Sequence, residues 1–539
     1  MDLTVRRPFP AISPEVRTGL RFLGGLPGFL RRPIDPTEAQ AVLRHRLATR
    51  EADFLALIRV AVFPRPESPY RRLLELAGCT YGDLEALVRH EGLEGALTAL
   101  YRAGVYVSLE EFRGRHPLVR GGVTVDGAPA GWANPLAALH LPAETGGRTG
   151  APLPVHIDLA FLRDLAVDFL VAFHARGGRA WTYAYWNVPG GAAMSEILAA
   201  SRAGLRVARW FSQVDPAAPG LHARYRWSAR VMRVGSLLAG RPLPLPQHVP
   251  LDDPEPVLRW IDDVRRAGAV PHLKTFGSTA THLCRVALET GRDLAGLKLS
   301  VSGEPVTAAR LEVMRRAGAE VVPRAGSREC GLIGAGCLRP GTADDLHVHE
   351  DLHAVVQPGR AAPLAPDTLL FSSLRPTAPL VLLNVSLGDE AVLGPRTCGC
   401  PLEALGLTTH IHDLRNSVRL TVGGIKLFEA DVARVLDTIL PARFGGGPTD
   451  YQLCQEDGSD PPRLHLLVHP RLGPVDSAAV GAAFLAAVGA EGGAERVASL
   501  AWDAARVLRV ERRAPVAVGG KIPQVRRSSA ESSERWAAG

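Results

Sequence analysis

The sequence predicts an α/β protein with a large amino-terminal domain and a small α+β carboxyl-terminal domain. With 539 residues, the chain is too long to fold around one hydrophobic core. Short apolar runs alternate with segments of helical periodicity through its middle, which is typical of parallel strands joined by helices. The pattern changes near Arg415, and the unit that follows has roughly the size of an independent domain.

The predicted elements follow this division in order. We assign residues 1–414 to the amino-terminal domain, with 1–130 as a mostly helical lead-in whose first 30 residues wrap a surface. The small domain covers 415–525, and 526–539 form a disordered tail. Helical periodicity predicts helices over 38–60, 70–76, 81–101, 161–175, 194–203, 254–267, 279–290, 308–317, 429–440 and 478–488. Apolar runs predict strands over 154–157, 179–185, 206–211, 298–302, 320–323, 451–454, 464–469 and 507–512, with several more between 369 and 393 and a pair turning at Gly423-Gly424.

Composition excludes several classes of protein. The 46% hydrophobic and 22% charged content is that of a soluble globular protein. Acidic residues are interspersed with the basic ones, so the net charge of +7 indicates affinity for small anions rather than a nucleic-acid surface. No apolar stretch is long enough to span a membrane. The first residues lead into prolines rather than a signal peptide, so we expect a cytoplasmic protein.

Lysine is scarce, which draws attention to the few lysines present. Among the 62 basic side chains, the lysines are Lys274, Lys298, Lys426 and Lys521. Lys521 follows Gly519-Gly520, a pair suited to a turn that presents one charged side chain. A compact ammonium can lie between two oxyanions where a planar guanidinium cannot.

The seven cysteines are too scattered, and odd in number, for a disulfide framework. Four lie in two close pairs, Cys330 with Cys337 and Cys398 with Cys400. This spacing fits either a structural zinc ion held by four thiolates or four small buried side chains. Five histidines are not spaced in the sequence as metal ligands usually are, so we expect them at the surface or as hydrogen-bonded core residues. They are His272, His282, His347, His349 and His353.

A glycine-rich stretch from Thr145 to Gly150 precedes a predicted strand and a long helix. Bare amides and hydroxyls can wrap an anion there, and Arg148 adds positive charge. The stretch is not a Walker loop, because no Gly-Lys-Ser/Thr follows. It is either a phosphate-binding loop or a surface turn.

Further motifs follow in a definite order along the chain. They are Ser68-Pro69-Tyr70, Gly104-Val105-Tyr106, Glu110 to Arg115, Gly303-Glu304-Pro305, Ala325 to Glu329, Gly388-Asp389, Arg415, Gly423-Gly424 and Lys521. Together with the glycine-rich stretch, this series resembles the adenylate-forming ligases, specifically their phenylacetate–CoA ligase branch. The resemblance covers residues 68–521, most of the chain.

The resemblance implies an activity and a fold. The activity is ATP- and Mg²⁺-dependent conversion of an aryl or fatty carboxylic acid to an acyl adenylate, followed by transfer of the acyl group to coenzyme A. The fold is a large domain of several subdomains, with mixed sheets flanked by helices, and a small mobile domain. The partners are the acid, with an acyl acceptor protein and a second copy of the chain as further candidates.

The resemblance also assigns roles to residues. Lys521 would bridge the acid and the α-phosphate, and Glu329 would assist magnesium. Gly424 would lie in the coenzyme A channel, and the four paired cysteines would hold zinc. The residues expected to bind ATP or AMP are Thr145, Gly146, Gly147, Arg148, Thr149, Gly150, Gly303, Glu304, Pro305, Asp389 and Arg415.

The chain departs from the family pattern in several places. Ala325 stands where an adenine-stacking aromatic is usual, and Asn384 where an arginine is usual. Asn416-Ser417 replaces an acidic hinge pair, and Lys426 stands where asparagine is frequent. These departures leave two alternatives open: transfer of the acyl adenylate in trans to a protein thiol, carrier or amine, and a catalytically silent nucleotide-binding protein.

Several aromatic residues could line the acid pocket, but core packing is the preferred interpretation. They are Trp181, Tyr183, Tyr185, Trp186 and Phe276.

Overall fold

The computed structural model describes residues 14–144, 153–218, 223–360, 363–416, 419–422, 425–456, 463–491, 499, 502 and 507–528. Several predicted features lie outside the described residues: the stretch Thr145 to Gly150, Ser417, the Gly423-Gly424 turn and residues 529–539 of the tail.

Helices surround the large sheet and make up most of the first 130 residues. They are α1 Pro14–Arg31, α2 Pro36–Ala48, α3 Arg50–Ala61, α4 Pro69–Leu76, α5 Tyr81–Arg102, α6 Leu109–Phe112, α7 Pro129–Trp132, α8 Leu159–Ala175, α9 Gly191–Arg202, α10 Ala223–Leu238, α11 Glu255–Arg266, α12 Gly277–Glu289 and α13 Ala308–Arg316.

The strands before residue 417 fall into one large sheet and two short hairpins. They are β1 Leu118–Arg120, β2 Val123–Val125, β3 Leu141–Glu144, β4 Pro154–Ile157, β5 Thr182–Asn187, β6 Arg206–Ser212, β7 Pro246–His248, β8 Pro271–Phe276, β9 Lys298–Ser302, β10 Glu320–Ser327, β11 Gly331–Gly336, β12 Leu346–Val348, β13 His353–Val356, β14 Thr368–Ser373, β15 Val385–Pro395 and β16 Thr409–Asn416.

The large sheet has twelve strands in the order β13-β14-β15-β16-β12-β11-β10-β9-β8-β5-β6-β7. One half of the sheet is parallel and consists of β10, β9, β8, β5, β6 and β7. In the other half, every neighbouring pair in the order β13-β14-β15-β16-β12-β11-β10 is antiparallel. Every residue of β5 is buried, as expected for a central parallel strand covered by helices on both faces. The predicted α/β class, with a mixed sheet flanked by helices, is confirmed.

The chain after residue 418 forms separate sheets. Its elements are β17 Arg419–Val422, β18 Ile425–Phe428, α14 Glu429–Arg434, a π-helical turn Val435–Ile439, α15 Leu440–Phe444, β19 Tyr451–Glu456, β20 Arg463–Val468, α16 Ser477–Val488, β21 Leu508–Arg512 and β22 Val525–Ser528. The larger sheet of this unit has four strands in the order β21-β20-β19-β22, and β17 and β18 form a separate hairpin. A core that includes Leu436, Leu453 and Phe484 fills the space beneath this sheet.

Three predictions about local structure are wrong. Residues 14–30, the described part of the first 30, do not merely wrap a surface, because α1 buries Phe22, Leu26 and Leu30 in the main core. The single helix predicted over 38–60 is two helices, α2 and α3, which meet at Thr49. The predicted tail begins too early, since residues 526–528 belong to β22 and pair with β19.

All seven cysteines are free thiols. Among the described residues, no helix combines the length and apolar character that crossing a membrane requires.

A buried cluster of charges ties α2 and α8 to the loop between β12 and β13. The Arg46 guanidinium lies 2.5 Å from Asp164, 3.2 Å from Asp351 and 3.8 Å from Asp168. The Nδ1 atom of His349 lies 3.6 Å from Asp168 and 3.8 Å from Asp351. Burial and then the charge of Asp351 raise the pKa of Asp168 well above its usual range. Burial opposes ionisation of Asp351 as well, but His349 and Arg46 outweigh it and lower the pKa of that carboxyl.

Replacing each carboxyl group by an amide should therefore affect the free energy of unfolding differently. Asp351→Asn should lower the free energy of unfolding at pH 7 by about 1.5–3 kcal/mol, because the buried Arg46 guanidinium loses one of its charged hydrogen-bond partners. Asp168→Asn should leave it unchanged or higher, since an amide avoids the cost of ionising a buried acid. Urea unfolding of both variants beside the wild type measures this difference.

The dependence on pH provides the control. Because the folded protein holds the Asp168 proton more tightly than the unfolded chain, this group's contribution declines as pH rises above its unfolded pKa. Asp168→Asn should flatten that decline. Equal destabilisation by both substitutions would contradict the assignment.

Candidate active site

Lys521 is presented by a tight turn of the carboxyl-terminal unit. Val518 and Lys521 exchange two backbone hydrogen bonds, of 2.8 and 3.1 Å. The intervening Gly519 and Gly520 have φ of +55° and +78°, which fits a two-residue hairpin turn that requires left-handed residues. A Cβ at Gly520 would also overlap the side chain of Gln213. The sequence prediction of a glycine turn that presents Lys521 is confirmed.

This turn docks against the carboxyl edge of the parallel sheet. The Lys521 ammonium donates to the carbonyl of Gly303, 2.6 Å away, and lies 4.7 Å from the centre of the Phe276 ring. The Thr279 hydroxyl donates to the carbonyl of Gly520 at 3.0 Å, and the amide of Ile522 donates to Ser278 Oγ at 2.9 Å. The lysine therefore lies where β8 and β9 end and α12 begins, an edge where parallel sheets commonly bind ligands.

The Gly303-Glu304-Pro305 turn leads from β9 toward α13 and contacts the start of α12. Gly303 has φ of +82°, and a Cβ there would lie 2.9 Å from the Phe276 ring. The Glu304 carboxylate accepts a hydrogen bond of 2.8 Å from the amide of Ser278, in the first turn of α12. Its carboxylate also lies 3.8 Å from Arg310 Nη1. The Glu304 side chain therefore holds the turn against the start of α12.

A second group of site residues lies at the end of the neighbouring strand β10. Glu329 follows that strand, is buried, and pairs with Arg113 at 2.7 Å. Asp389, on β15, has its pKa raised to about 7, first by burial and then by the charge of Glu329. The charge of Glu329 thus acts on Asp389, and carboxylate oxygens of this kind suit a hard divalent cation such as Mg²⁺.

Arg415 lies on β16 beside this carboxyl pair. In the ladder between β15 and β16, Asp389 lies opposite Asn416 and Glu390 opposite Arg415. The Arg415 guanidinium lies 2.6 Å from Asp367 and 3.4 Å from Glu390. The structure thus brings Glu329, Asp389 and Arg415 to one region and Lys521 with Gly303 to the adjacent strand end.

The carboxyl-terminal unit is held in this position by an ion pair that the sequence did not indicate. Asp437, in the π-helical turn, accepts from Arg310 Nε at 3.0 Å, and both side chains are 1% exposed. The same carboxylate oxygen accepts from Thr307 and Gln524, each at 3.0 Å. Arg310 and Thr307 belong to the segment that follows the Gly303 turn, so this contact supports the position of Lys521.

The cysteines form a cluster different from the predicted one. One donor atom from each of Cys337, His347, Cys398 and Cys400 lies within 4.8 Å of the others. Cys330 is elsewhere, with its sulfur 3.1 Å from Ser327 Oγ, so its assignment to the same site is wrong. His347 takes the fourth place; it is a buried, hydrogen-bonded histidine, as one of the two expectations has it, and its second nitrogen faces the cysteines.

The orientation of His347 suits metal binding. Its Nδ1 lies 2.8 Å from the carbonyl of Leu407, while Nε2 lies 3.1 Å from the sulfur of Cys400 and 3.7 Å from that of Cys398. A histidine whose one nitrogen donates to a carbonyl has the lone pair of the other directed at a ligand site. Three thiols and one imidazole are a frequent donor set for structural zinc.

The aromatic residues that could have lined a pocket are mostly core. Trp186 is fully buried and donates to the carbonyl of Val249 at 2.9 Å. Trp181 stacks on His272 with ring centres 5.5 Å apart. Phe276 is the exception, because its ring touches Lys521. Sequence reasoning also gave no role to Lys274, which lies two residues before Phe276 and is 4% exposed.

Comparison with known proteins places this geometry in a recognised fold. Neither a protein-family model nor a curated protein matches the sequence. Two solved structures of a 2-hydroxyisobutyryl-CoA ligase in the postadenylation state, in complex with 2-HIB-AMP and with R3-HIB-AMP, are similar along nearly the whole chain. In each case the sequence identity is 18%, and the matched region covers 94% of this chain and 93% of the ligase chain. The TM-scores are 0.52 and 0.51, respectively. This chain has the adenylate-forming ligase fold. At this level of identity, the similarity establishes the architecture, and the chemistry depends on the residues described above.

Proposed function

We propose that this protein activates a carboxylic acid with ATP and transfers the acyl group to coenzyme A. The observation that carries the proposal is Lys521, held by the Gly519-Gly520 turn at the carboxyl edge of the parallel sheet, against the Gly303 carbonyl and the Phe276 ring. The similar structures are named as complexes with an acyl adenylate in the postadenylation state, which supports the same chemistry here.

The reaction explains why a lysine is needed at this position. A carboxylate oxygen attacks the α-phosphorus of ATP, the bond to the β-phosphate oxygen breaks, and pyrophosphate leaves. Two anions must approach each other, so a compact cation between them stabilises the developing charge. Lys521 would supply that charge, because its ammonium lies at the strand edge beside the Phe276 ring, where the acid would bind.

The carboxylates of the second group would bind the nucleotide. Asp389 would accept from the two ribose hydroxyls and Arg415 would lie beside it, as the resemblance implies. Glu329, which pairs with Arg113, would hold Mg²⁺, which when bound neutralises phosphate charge. The Gly303-Glu304-Pro305 turn would border the adenine, and Thr145 to Gly150 would bind the phosphates.

In the second step, a thiol attacks the carbonyl of the acyl adenylate and AMP leaves with the bonding electron pair. We propose that the carboxyl-terminal unit rotates between the steps, which withdraws Lys521 and brings the Gly424 region to the thiol. Coenzyme A is the proposed thiol, and an aryl or fatty acid of the phenylacetate–CoA ligase type is the broad substrate class. A protein thiol acting in trans is distinguished by assaying transfer with and without coenzyme A.

We further propose that Cys337, His347, Cys398 and Cys400 hold a structural zinc ion. A bound zinc ion would crosslink the ends of β11 and β12 to the loop before β16 and would have no part in the chemistry.

Lys521→Ala should abolish acid-dependent pyrophosphate release while leaving thioester formation from a supplied acyl adenylate within about threefold of wild type. The matched control is Lys298→Ala, on β9, whose lysine pairs with Glu320 away from the site. Pyrophosphate release from ATP and Mg²⁺ across a panel of acids measures the first step. Retention of release in the Lys521 variant would overturn the assignment.

Nucleotide affinity should fall as pH drops through about 7. Burial and Glu329 raise the pKa of Asp389 to about 7, so below that pH the side chain carries a proton and accepts fewer hydrogen bonds. The dissociation constant of ATP, measured by calorimetry between pH 6 and 8.5, should increase toward low pH in the wild type. Asp389→Asn should bind weakly and show no such trend, and a parallel trend in the variant would exclude Asp389 as the titrating group.

Cys398→Ser should lower the zinc content of the purified protein, measured by plasma mass spectrometry, from about one ion per chain to well below that. Its thermal unfolding temperature should also fall, because the loop before β16 loses its crosslink. Cys330→Ser is the control, since its sulfur lies beside Ser327 Oγ and outside the Cys/His cluster, and it should retain the metal. Wild-type protein without zinc after purification in zinc-supplemented medium would refute the metal site.

A further inference from the structure

Lys274 is a buried lysine whose surroundings favour a bound anion. It is 4% exposed, and its Nζ donates to the hydroxyl of Ser302. Within the parts of the chain that the structure describes, it forms no ion pair with a carboxylate, whereas Lys298 on the adjacent strand pairs with Glu320. Buried charges in proteins are normally paired or serve a function.

The neighbouring charges leave a positive excess around Lys274. Glu196, on α9, lies 2.7 Å from Arg324 and accepts from the hydroxyl of Tyr183 at 3.2 Å. Its charge is therefore already matched by Arg324. Burial and then Arg324 lower the pKa of Lys274 to about 7, with a smaller contribution from Lys521 and an opposing one from Glu196. One more negative charge here would restore balance.

The position of Lys274 relative to Lys521 indicates where that charge comes from. Side chains alternate along β8, so Lys274 and Phe276 share one face and lie roughly 7 Å apart along the strand. Phe276 touches Lys521, and the two lysines bond adjacent residues, Lys274 the Ser302 hydroxyl and Lys521 the Gly303 carbonyl. An acid whose carboxylate lies at Lys521 would extend along this face toward Lys274.

We propose that Lys274 binds a second carboxylate of the substrate, so that the protein activates short dicarboxylic acids of about four to six carbons. The inference rests on the proposed adenylation at the same site and, in place of the aryl or fatty acid that the resemblance implies, assigns short dicarboxylic acids as the substrate class. One carboxylate attacks the α-phosphorus and pyrophosphate leaves. The other keeps its charge throughout and accepts hydrogen bonds from the Lys274 ammonium. Lys274 is thus a residue that determines specificity.

The test compares acids of equal length with and without the second charge. Pyrophosphate release is measured with glutarate and pentanoate for wild type and for Lys274→Met, which keeps the volume of the side chain and removes its charge. We expect the wild type to prefer glutarate, and the substitution to lower kcat/KM for glutarate by about 30-fold or more. The value for pentanoate should stay within about threefold of wild type or rise.

Lys298→Met is the matched control, since it makes the same change at a lysine on β9 that already has its own partner. It should leave the preference for glutarate unaltered. An equal fall for both acids in Lys274→Met would show that Lys274 serves the reacting carboxylate or the phosphates and would overturn the proposal. Equal use of both acids by the wild type would overturn it as well.

Calorimetry separates failure of this inference from failure of the proposed function. Binding of glutarate at pH 8, measured in buffers of different ionisation enthalpy, should take up about one proton per ligand, because an anion raises the pKa of Lys274. Lys274→Met should bind more weakly without this uptake. If no acid releases pyrophosphate, the proposed function fails, yet proton-linked binding would still support the subsite. Absence of glutarate binding, or identical uptake in the variant, would refute it.

Discussion

The arrangement of the candidate active site depends on the buried ion pair between Arg310 and Asp437. Arg310 belongs to α13, directly after the Gly303 turn, and Asp437 belongs to the carboxyl-terminal unit. Their contact, supplemented by Thr307 and Gln524, holds the unit so that Lys521 reaches the Gly303 carbonyl. A lysine on a glycine turn would otherwise sample many positions, and a defined position is what electrostatic catalysis requires. The pair therefore fixes where the ammonium lies, although it is far from any reacting atom.

Three adjacent strand ends contribute the residues of the candidate active site. Strand β8 contributes Phe276, β9 leads to Gly303, and β10 leads to Glu329, so that one edge of the sheet carries apolar, backbone and carboxylate groups in sequence. Behind that edge, Glu196, Arg324 and Lys274 place charges on the buried face of the same strands. Burial strengthens each of these interactions, because water competes less. Burial also raises the pKa of Asp389 and lowers that of Lys274.

The sequence predicted the elements more reliably than the contacts between them. Strand 298–302 and the glycine turn before Lys521 depend on local patterns, and the structure has both. The division of one predicted helix at Thr49 was missed because the apolar spacing continues across it. Cys330 was grouped with Cys337 by proximity in the chain, whereas the fold brings His347 there from another strand. Asp437 has no signal in the sequence, and Lys274 stands out only because lysine is scarce, since the roles of both follow from burial beside residues distant in the sequence.

The π-helical turn Val435–Ile439 gives the docking contact an unusual sensitivity. Such a turn has i→i+5 rather than i→i+4 hydrogen bonds, so it holds one more residue than the corresponding α-helical turn, and it is frequently found at functional sites. Asp437 lies at its centre. Loss of one residue there would restore regular helical geometry and rotate the following side chains by roughly 100°. The register between the two parts of the molecule is thus set by a one-residue difference in chain length, a change that evolution can make or reverse in a single step.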